Sequence, residues 1–323
     1  MNEAQPVGAF NFQTVVPDTS WLVESLIPFE QLGIMLAQAG VGKSLLVEDL
    51  ATSLVFGIPF CGFKTIEGDV LLIDQDTPTD VLYRRLLRFA RAMGLEPKHN
   101  LFIKSMGGYS LDNGTLASMI SDYPTVCLAI VDSLHSVCGR LNPNYTSDMN
   151  RLAQLKERCL RPDLSIIVNH HISQKWELSI DALMQGDPNR LAMGNSAIIQ
   201  QCDTYYVIGA RAEQGETKLI YVRPVSRRVS IPLDPVVLKM IPKNEGEMLD
   251  YEGRYEPDLD EAEYDVMTLF AEQDIERTVK EAYEAMGQKH GIIKVRKAMA
   301  SLEVKGKLRV SRHRANLFKY RLP

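Results

Sequence analysis

Eight consecutive residues, Ala37-Gln38-Ala39-Gly40-Val41-Gly42-Lys43-Ser44, constrain this chain more than any other feature. A short apolar run, Gly33 to Ala37, leads into them, and a run with helical spacing, Leu45 to Phe56, follows. Strand, glycine-rich turn and helix together form a cradle in which backbone N–H groups curl around phosphate oxygens at a helix N-terminus. Gly40 and Gly42 allow the unusual dihedrals and the close approach. Lys43 brings charge to the β- and γ-phosphates, and the Ser44 hydroxyl can coordinate Mg²⁺. The segment fits the Walker A pattern with one departure, Ala37 at the first glycine position. The expected nucleotide contacts are Ala39, Gly40, Val41, Gly42, Lys43, Ser44 and Leu45, and the expected cofactors are ATP and Mg²⁺.

Such a loop needs carboxylates on neighbouring strands. Asp132 ends the continuous apolar run Val126-Cys127-Leu128-Ala129-Ile130-Val131 and is the expected second metal-holding group beside Ser44. Asp74 ends a second run, Asp69 to Asp74, and Asp76 follows it. One of them, with Asp76 ahead of Asp74, can orient an attacking water and accept its proton. The competing reading makes Asp76 a cap for the helix after Pro78. His170 and His171 end a third run that starts at Leu164, which places at least one of them to sense a γ-phosphate.

Continuous apolar strands separated by helix-patterned stretches predict a parallel sheet covered on both faces, with ligands at the carboxyl ends of its strands. The expected fold class is α/β, a P-loop core on a mainly parallel sheet with a small C-terminal domain. Residues 1–30 read as an irregular lead-in broken by Pro6, Pro17 and Pro28, and residues 31–240 as the nucleotide-binding domain. Residues 241–260 are polar and acidic and read as a linker, leaving 261–323 as a separate block. The five cysteines are scattered and without Cys-x-x-Cys spacing, which predicts reduced thiols in a cytoplasmic protein. No basic leader precedes an apolar run, and no apolar stretch reaches spanning length, so no membrane partner is expected.

The overall charge of −5 hides an asymmetry. From residue 290 onward the chain carries ten lysines and arginines against one acid, Glu303. Three helix patterns followed by two short strands is the order of a winged-helix module. Lys294, Arg296 and Lys297 on its third helix, and Arg312 and Arg314 between the strands, are the expected DNA contacts. A solvated basic face, or a surface docking on the acidic helices nearby, would look the same in sequence.

Taken together, Ala-Gly-Val-Gly-Lys-Ser, Leu-Leu-Ile-Asp-Gln-Asp-Thr-Pro, Ile-Val-Asp-Ser and Asn-His-His-Ile-Ser-Gln-Lys resemble, in that order, the RecA-like ATPases of the plasmid RepA type. These are hexameric replicative helicases related to DnaB. The resemblance covers roughly residues 20–240. It implies a homo-hexameric ring with ATP at each interface, single-stranded DNA in the ring, and a neighbour's arginine completing the site. It places the catalytic carboxylate on Asp76, where the family usually has glutamate, and the γ-phosphate sensor on His171, with Lys43 and Asp132 completing the catalytic set. Arg223, Arg227 and Arg228 are the candidates for the arginine acting in trans. The family's Arg-Gly-Ser-Ser stretch stands here as Met193-Gly194-Asn195-Ser196, leaving two alternatives: Arg190 substitutes for the missing arginine, or its function is lost. The implied function is ATP-dependent translocation on DNA in replication of a plasmid, phage or mobile element. A recombination or strand-annealing ATPase, and a nucleotide-gated DNA-binding regulator, are the alternatives.

Overall fold

A computed structural model describes residues 20–96, 100–172, 179–185, 197–212, 218–226, 234–243, 246–257, 259–272, 275–314 and 317–323. Two short strands, β1 (Trp21–Val23) and β2 (Ile27–Pro28), form a small antiparallel pair in what reads from sequence as irregular lead-in. Then come β3 (Leu32–Ala37), α1 (Lys43–Phe56), β4 (Asp69–Asp74), α2 (Thr79–Ala92), β5 (Leu101–Ser105), α3 (Thr115–Ser121) and β6 (Val126–Asp132). They are followed by α4 (Leu134–Val137), α5 (Thr146–Cys159), β7 (Ser165–His171), α6 (Ile180–Gln185), α7 (Ala197–Gln201), β8 (Thr204–Ala212) and β9 (Lys218–Ser226).

The main sheet runs β11-β10-β9-β8-β3-β7-β6-β4-β5, where β10 is Val236–Lys243 and β11 is Gly246–Arg254. From β5 to β8 neighbouring strands are parallel, and from β8 to β11 they are antiparallel. The α/β class with a mainly parallel sheet predicted from sequence is the one observed, with an antiparallel extension on one side. Strands β3 and β6 are buried along their whole length, as expected where both faces are covered. One apolar cluster packs α3, α5 and α7 on one face, and a second packs α1 and α2 on the other. Each large aliphatic side chain withdrawn from water, such as Leu50 or Leu128, contributes about 1.5–3 kcal/mol before the entropy of ordering it.

The reading of 241–260 as a linker is corrected. These residues include the end of β10 and all of β11, which pair from Lys243↔Gly246 to Val236↔Arg254. Their polarity reflects an edge position: Leu249 is buried while Asp250 and Glu252 face outward, as charged groups that blunt a sheet edge do.

The last block folds as α8 (Glu261–Glu272), α9 (Val279–Ala285), α10 (Ile292–Val304) and the hairpin β12 (Arg309–Arg314) and β13 (Leu317–Arg321). Its own apolar cluster is small: Ala262, Val266 and Phe270 meet Ala282, then Val295, Ala298, Met299 and Leu302, closed by Leu308 and Tyr320. A capping box at Thr278 and Glu281 starts α9. All five cysteines are buried, and none forms a disulfide. No helix among the described residues is long and apolar enough to cross a membrane.

Candidate functional site

Four parallel strands end side by side at one rim. Ala37 of β3 is in register with His171 of β7, and Asp74 of β4 with Asp132 of β6. The glycine-rich loop rises from β3 and enters α1 at Lys43. Gly40 has φ +78° and Gly42 has φ +101°, both in the left-handed region where a side chain would be strained. Among the described residues, no atom lies within 4 Å of where a Cβ on Gly40 would stand. No side chain caps α1 and its first turn holds no acid, so the positive end of a 14-residue helix faces this space. These are the features of an anion cradle, and they fit the phosphates of ATP.

Lys43 is buried, and burial pushes its ammonium below the usual lysine value, opposed by the Asp132 and Asp76 carboxylates. The Ser44 hydroxyl donates to Asp132 Oδ2 at 2.8 Å. A hydroxyl and a carboxylate at this separation, one on the loop and one on the next-but-one strand, form a hard oxygen set suited to Mg²⁺.

Asp74 and Asp76 have different duties. Asp74 is buried and its Oδ1 accepts from the backbone N–H groups of Asp76 at 2.8 Å and Thr77 at 2.7 Å. It shapes the turn, and burial raises its carboxyl above the usual range despite those bonds. Asp76 does not cap α2, whose N-terminal flanking residue is Pro78 without a side-chain bond. Its Oδ2 instead accepts from the hydroxyls of Ser133 and Ser136, each at 3.1 Å. Ser136 is fixed in turn by the Ser133 N–H at 3.0 Å. A carboxylate held on two hydroxyls keeps its other oxygen for a further partner.

His171 lies half-buried at the end of β7. Burial and the nearby Lys43 ammonium lower its affinity for a proton, while Asp132 and Asp76 work the other way. His135 of α4 also acts on it. His171 is therefore near both the loop lysine and the two carboxylates, and neutral at physiological pH. His170, on the opposite face of the strand, is buried.

The sequence assigned no role to several further residues here. Ser133 and Ser136 look like ordinary helix-start serines. Asn169 is fully buried on the same strand face as His171, and among the described residues neither its amide nitrogen nor its oxygen has a hydrogen-bond partner. Glu48 sits one helical turn beyond Ser44 and is 1% exposed. Burial pushes its carboxyl up to about 7, against the Arg85 guanidinium 3.3 Å away. Lys218, the first residue of β9, donates to the Gly40 carbonyl at 2.8 Å. A helical-spacing reading could have singled out Glu48, because a glutamate among Leu46, Val47 and Leu50 is out of place; Lys218 becomes visible only through strand pairing.

Among the arginines expected in trans, Arg223 lies within β9 opposite Val207, in the body of the sheet and below the rim. Arg227, Arg228, Arg190 and the segment 193–196 fall outside the described residues, as does Lys175. In the last block, Lys294, Arg296 and Lys297 are exposed on α10, whose other face buries Val295, Ala298, Met299 and Leu302. Arg312 and Arg314 lie on β12, with Arg312 paired to Phe318 and Arg314 to Leu317 across the hairpin. Lys305 is not part of an open basic face: its ammonium sits 2.8 Å from Glu263 and 3.8 Å from Asp181 of α6.

Compared with known proteins, the chain matches the family model of an AAA domain over residues 3–175. No curated protein matches it. Among solved structures, a KaiC-like protein from the hyperthermophilic archaeon Pyrococcus horikoshii is similar, at 14% identity and a TM-score of 0.45, covering 71% of this chain and 93% of that one.

Proposed function

The chain belongs to the AAA domain family and is a P-loop ATPase of the RecA-like type, and from that premise we propose that it is an ATP-dependent DNA helicase or translocase serving replication of a plasmid, phage or mobile element. The observation that carries the catalytic half is the convergence of Lys43, Ser44, Asp132, Asp76 and His171 at one rim of the sheet. The DNA half is supported by α10, which turns an apolar face to its own core and a lysine- and arginine-bearing face to solvent.

In this reading the loop N–H groups and Lys43 bind the β- and γ-phosphates, and Ser44 with Asp132 holds Mg²⁺. Bound Mg²⁺ would supply neutralising charge for the phosphates. Asp76, fixed by Ser133 and Ser136, orients the attacking water and takes its proton. His171, neutral and within reach of the same charges, senses whether the terminal phosphate is present. An arginine from the next subunit of a homo-hexamer, with Arg223, Arg227 and Arg228 as candidates, adds transition-state charge. The block from 261 onward, in winged-helix order, meets DNA phosphates through Lys294, Arg296, Lys297, Arg312 and Arg314. Single-stranded DNA occupies the ring.

The experiment is ATP hydrolysis with and without single-stranded DNA, for wild type and Lys43→Ala side by side. Strong stimulation by DNA that disappears in the variant supports a motor. A second reading, the nucleotide-gated DNA-binding regulator, draws on the short Asp76 side chain, held on two serines where a longer glutamate would reach further. Slow hydrolysis indifferent to DNA would favour it and remove the helicase reading.

A further inference from the structure

Strand β9 begins at Lys218, which pairs with Ala212 of β8 and Met240 of β10 and so stands at the same rim as the phosphate loop. Its ammonium donates to the Gly40 carbonyl at 2.8 Å and lies 3.6 Å from where a Cβ on Gly42 would stand. Ile220, two residues on along the same strand face, lies 3.4 Å from that point. The antiparallel extension of the sheet is thus in contact with the loop that the parallel part supports.

The loop needs such a contact. A cradle for phosphate works only while its peptide units turn N–H groups toward the anion. In a trans peptide the carbonyl and the N–H point in opposite directions, so turning the Gly40–Val41 unit over would replace the Val41 N–H with the Gly40 oxygen. Gly40 has no side chain to resist that rotation, and no atom of the described residues lies within 4 Å of its missing Cβ. The carbonyl it would have to move is the one engaged by Lys218.

We propose that Lys218 is a positioning residue of the nucleotide site, whose ammonium holds the Gly40 carbonyl and thereby keeps the Val41 N–H available to the phosphates. Burial lowers the Lys218 pKa, so its charge is partly stripped of water, and the carbonyl replaces a lost hydration partner. Lys218 follows no motif of the loop. It acts on ATP affinity through the peptide it holds, and it connects the β8–β9 hairpin with the occupancy of the site. The proposal rests on the reading of the loop as an ATP site.

The test uses the full chain, with Lys218→Met, which keeps the aliphatic stem, and Lys218→Arg. The readouts are titration with a fluorescent ADP analogue, KM and kcat for ATP, and thermal melting without nucleotide. Lys43→Ala serves as the reference for a disabled loop. In Lys218→Met the ADP analogue binds about tenfold more weakly and KM rises by a similar factor, with kcat within about twofold of wild type. Lys218→Arg recovers most of the affinity, and melting stays unchanged. If Lys218→Met melts lower, the same titration at a temperature where circular dichroism shows it folded keeps the result decisive. Wild-type affinity in folded Lys218→Met, or a fall in kcat at unchanged KM, overturns the proposal. A wild type that binds no nucleotide overturns the ATPase reading itself, which is a different result from wild-type binding that the variant shares.

Discussion

The rim of the main sheet and the outer face of α10 both concentrate charge, and they treat it in opposite ways. At the rim, Lys43, Asp74 and Asp132 are buried, and each works against partners within the fold. On α10, Lys294, Arg296 and Lys297 stand in solvent above a small cluster of apolar side chains. Buried charge is expensive unless another charge arrives to meet it, so it suits a site that binds a compact, highly charged ligand and acts on it. Exposed charge costs little and is screened by salt, so it suits a surface that holds a long polyanion reversibly. Chemistry and tracking would then be divided between two regions with separate cores.

The sharpest break between the regions comes from Lys43→Ala. It should lower ATP turnover by about a hundredfold or more while leaving DNA binding by the last block intact, measured by hydrolysis and fluorescence anisotropy on the same preparations. Asp76→Asn should lower kcat by about a hundredfold with little change in ADP binding. Ser136→Ala, which removes one of the two hydroxyls on Asp76, should lower kcat several-fold in the same assay. If Ser136→Ala raised KM alone, the positioning role of the serines would be lost.

The converse break is Lys294→Ala, Arg296→Ala and Lys297→Ala combined. DNA affinity should fall by about tenfold or more, and the slope of log affinity against log salt should flatten by roughly two to three. ATP turnover without DNA should stay at the wild-type level. An unchanged salt slope would show that this face is ordinary solvated surface.

The smallest expected effect concerns pH. Burial pushes Asp49 up from 3.8 to about 7, and among the described residues only the Cys61 thiol offers its carboxyl a hydrogen bond. A raised carboxyl pKa means that the folded state keeps a proton the unfolded chain has lost. The resulting stability is present below about pH 4 and drains away as pH rises through about 7. Glu48, also pushed up to about 7, has the same sign. Asp49→Asn should therefore flatten stability between pH 5.5 and 8, by on the order of 1–3 kcal/mol in urea unfolding. A variant as pH-sensitive as wild type would move the effect to Glu48.

Much of the parallel core was legible because its signals are local. Asp69–Asp74 and Val126–Asp132 are apolar runs ending in a carboxylate, and both strands begin and end where those runs do. Glu261–Glu272 is a helix over the same residues that its periodicity marks. The stretch after 241 misled because polarity marks an edge strand as well as a linker; only pairing with β10 distinguishes them. Asp74 and Asp76 could not be told apart by spacing. Their duties follow from which one the serines after the neighbouring strand reach.

What the sequence alone determined was the loop, the strands that carry its carboxylates, the class of the fold and the place of the basic residues, since each is written in neighbours a few positions apart. The tertiary structure decided which groups converge: Ser136 on Asp76, Glu48 beside Arg85, and Lys218 on the carbonyl of a residue 178 positions away. Those contacts depend on strand order and register, and a parallel sheet assembles them from segments that no local pattern connects.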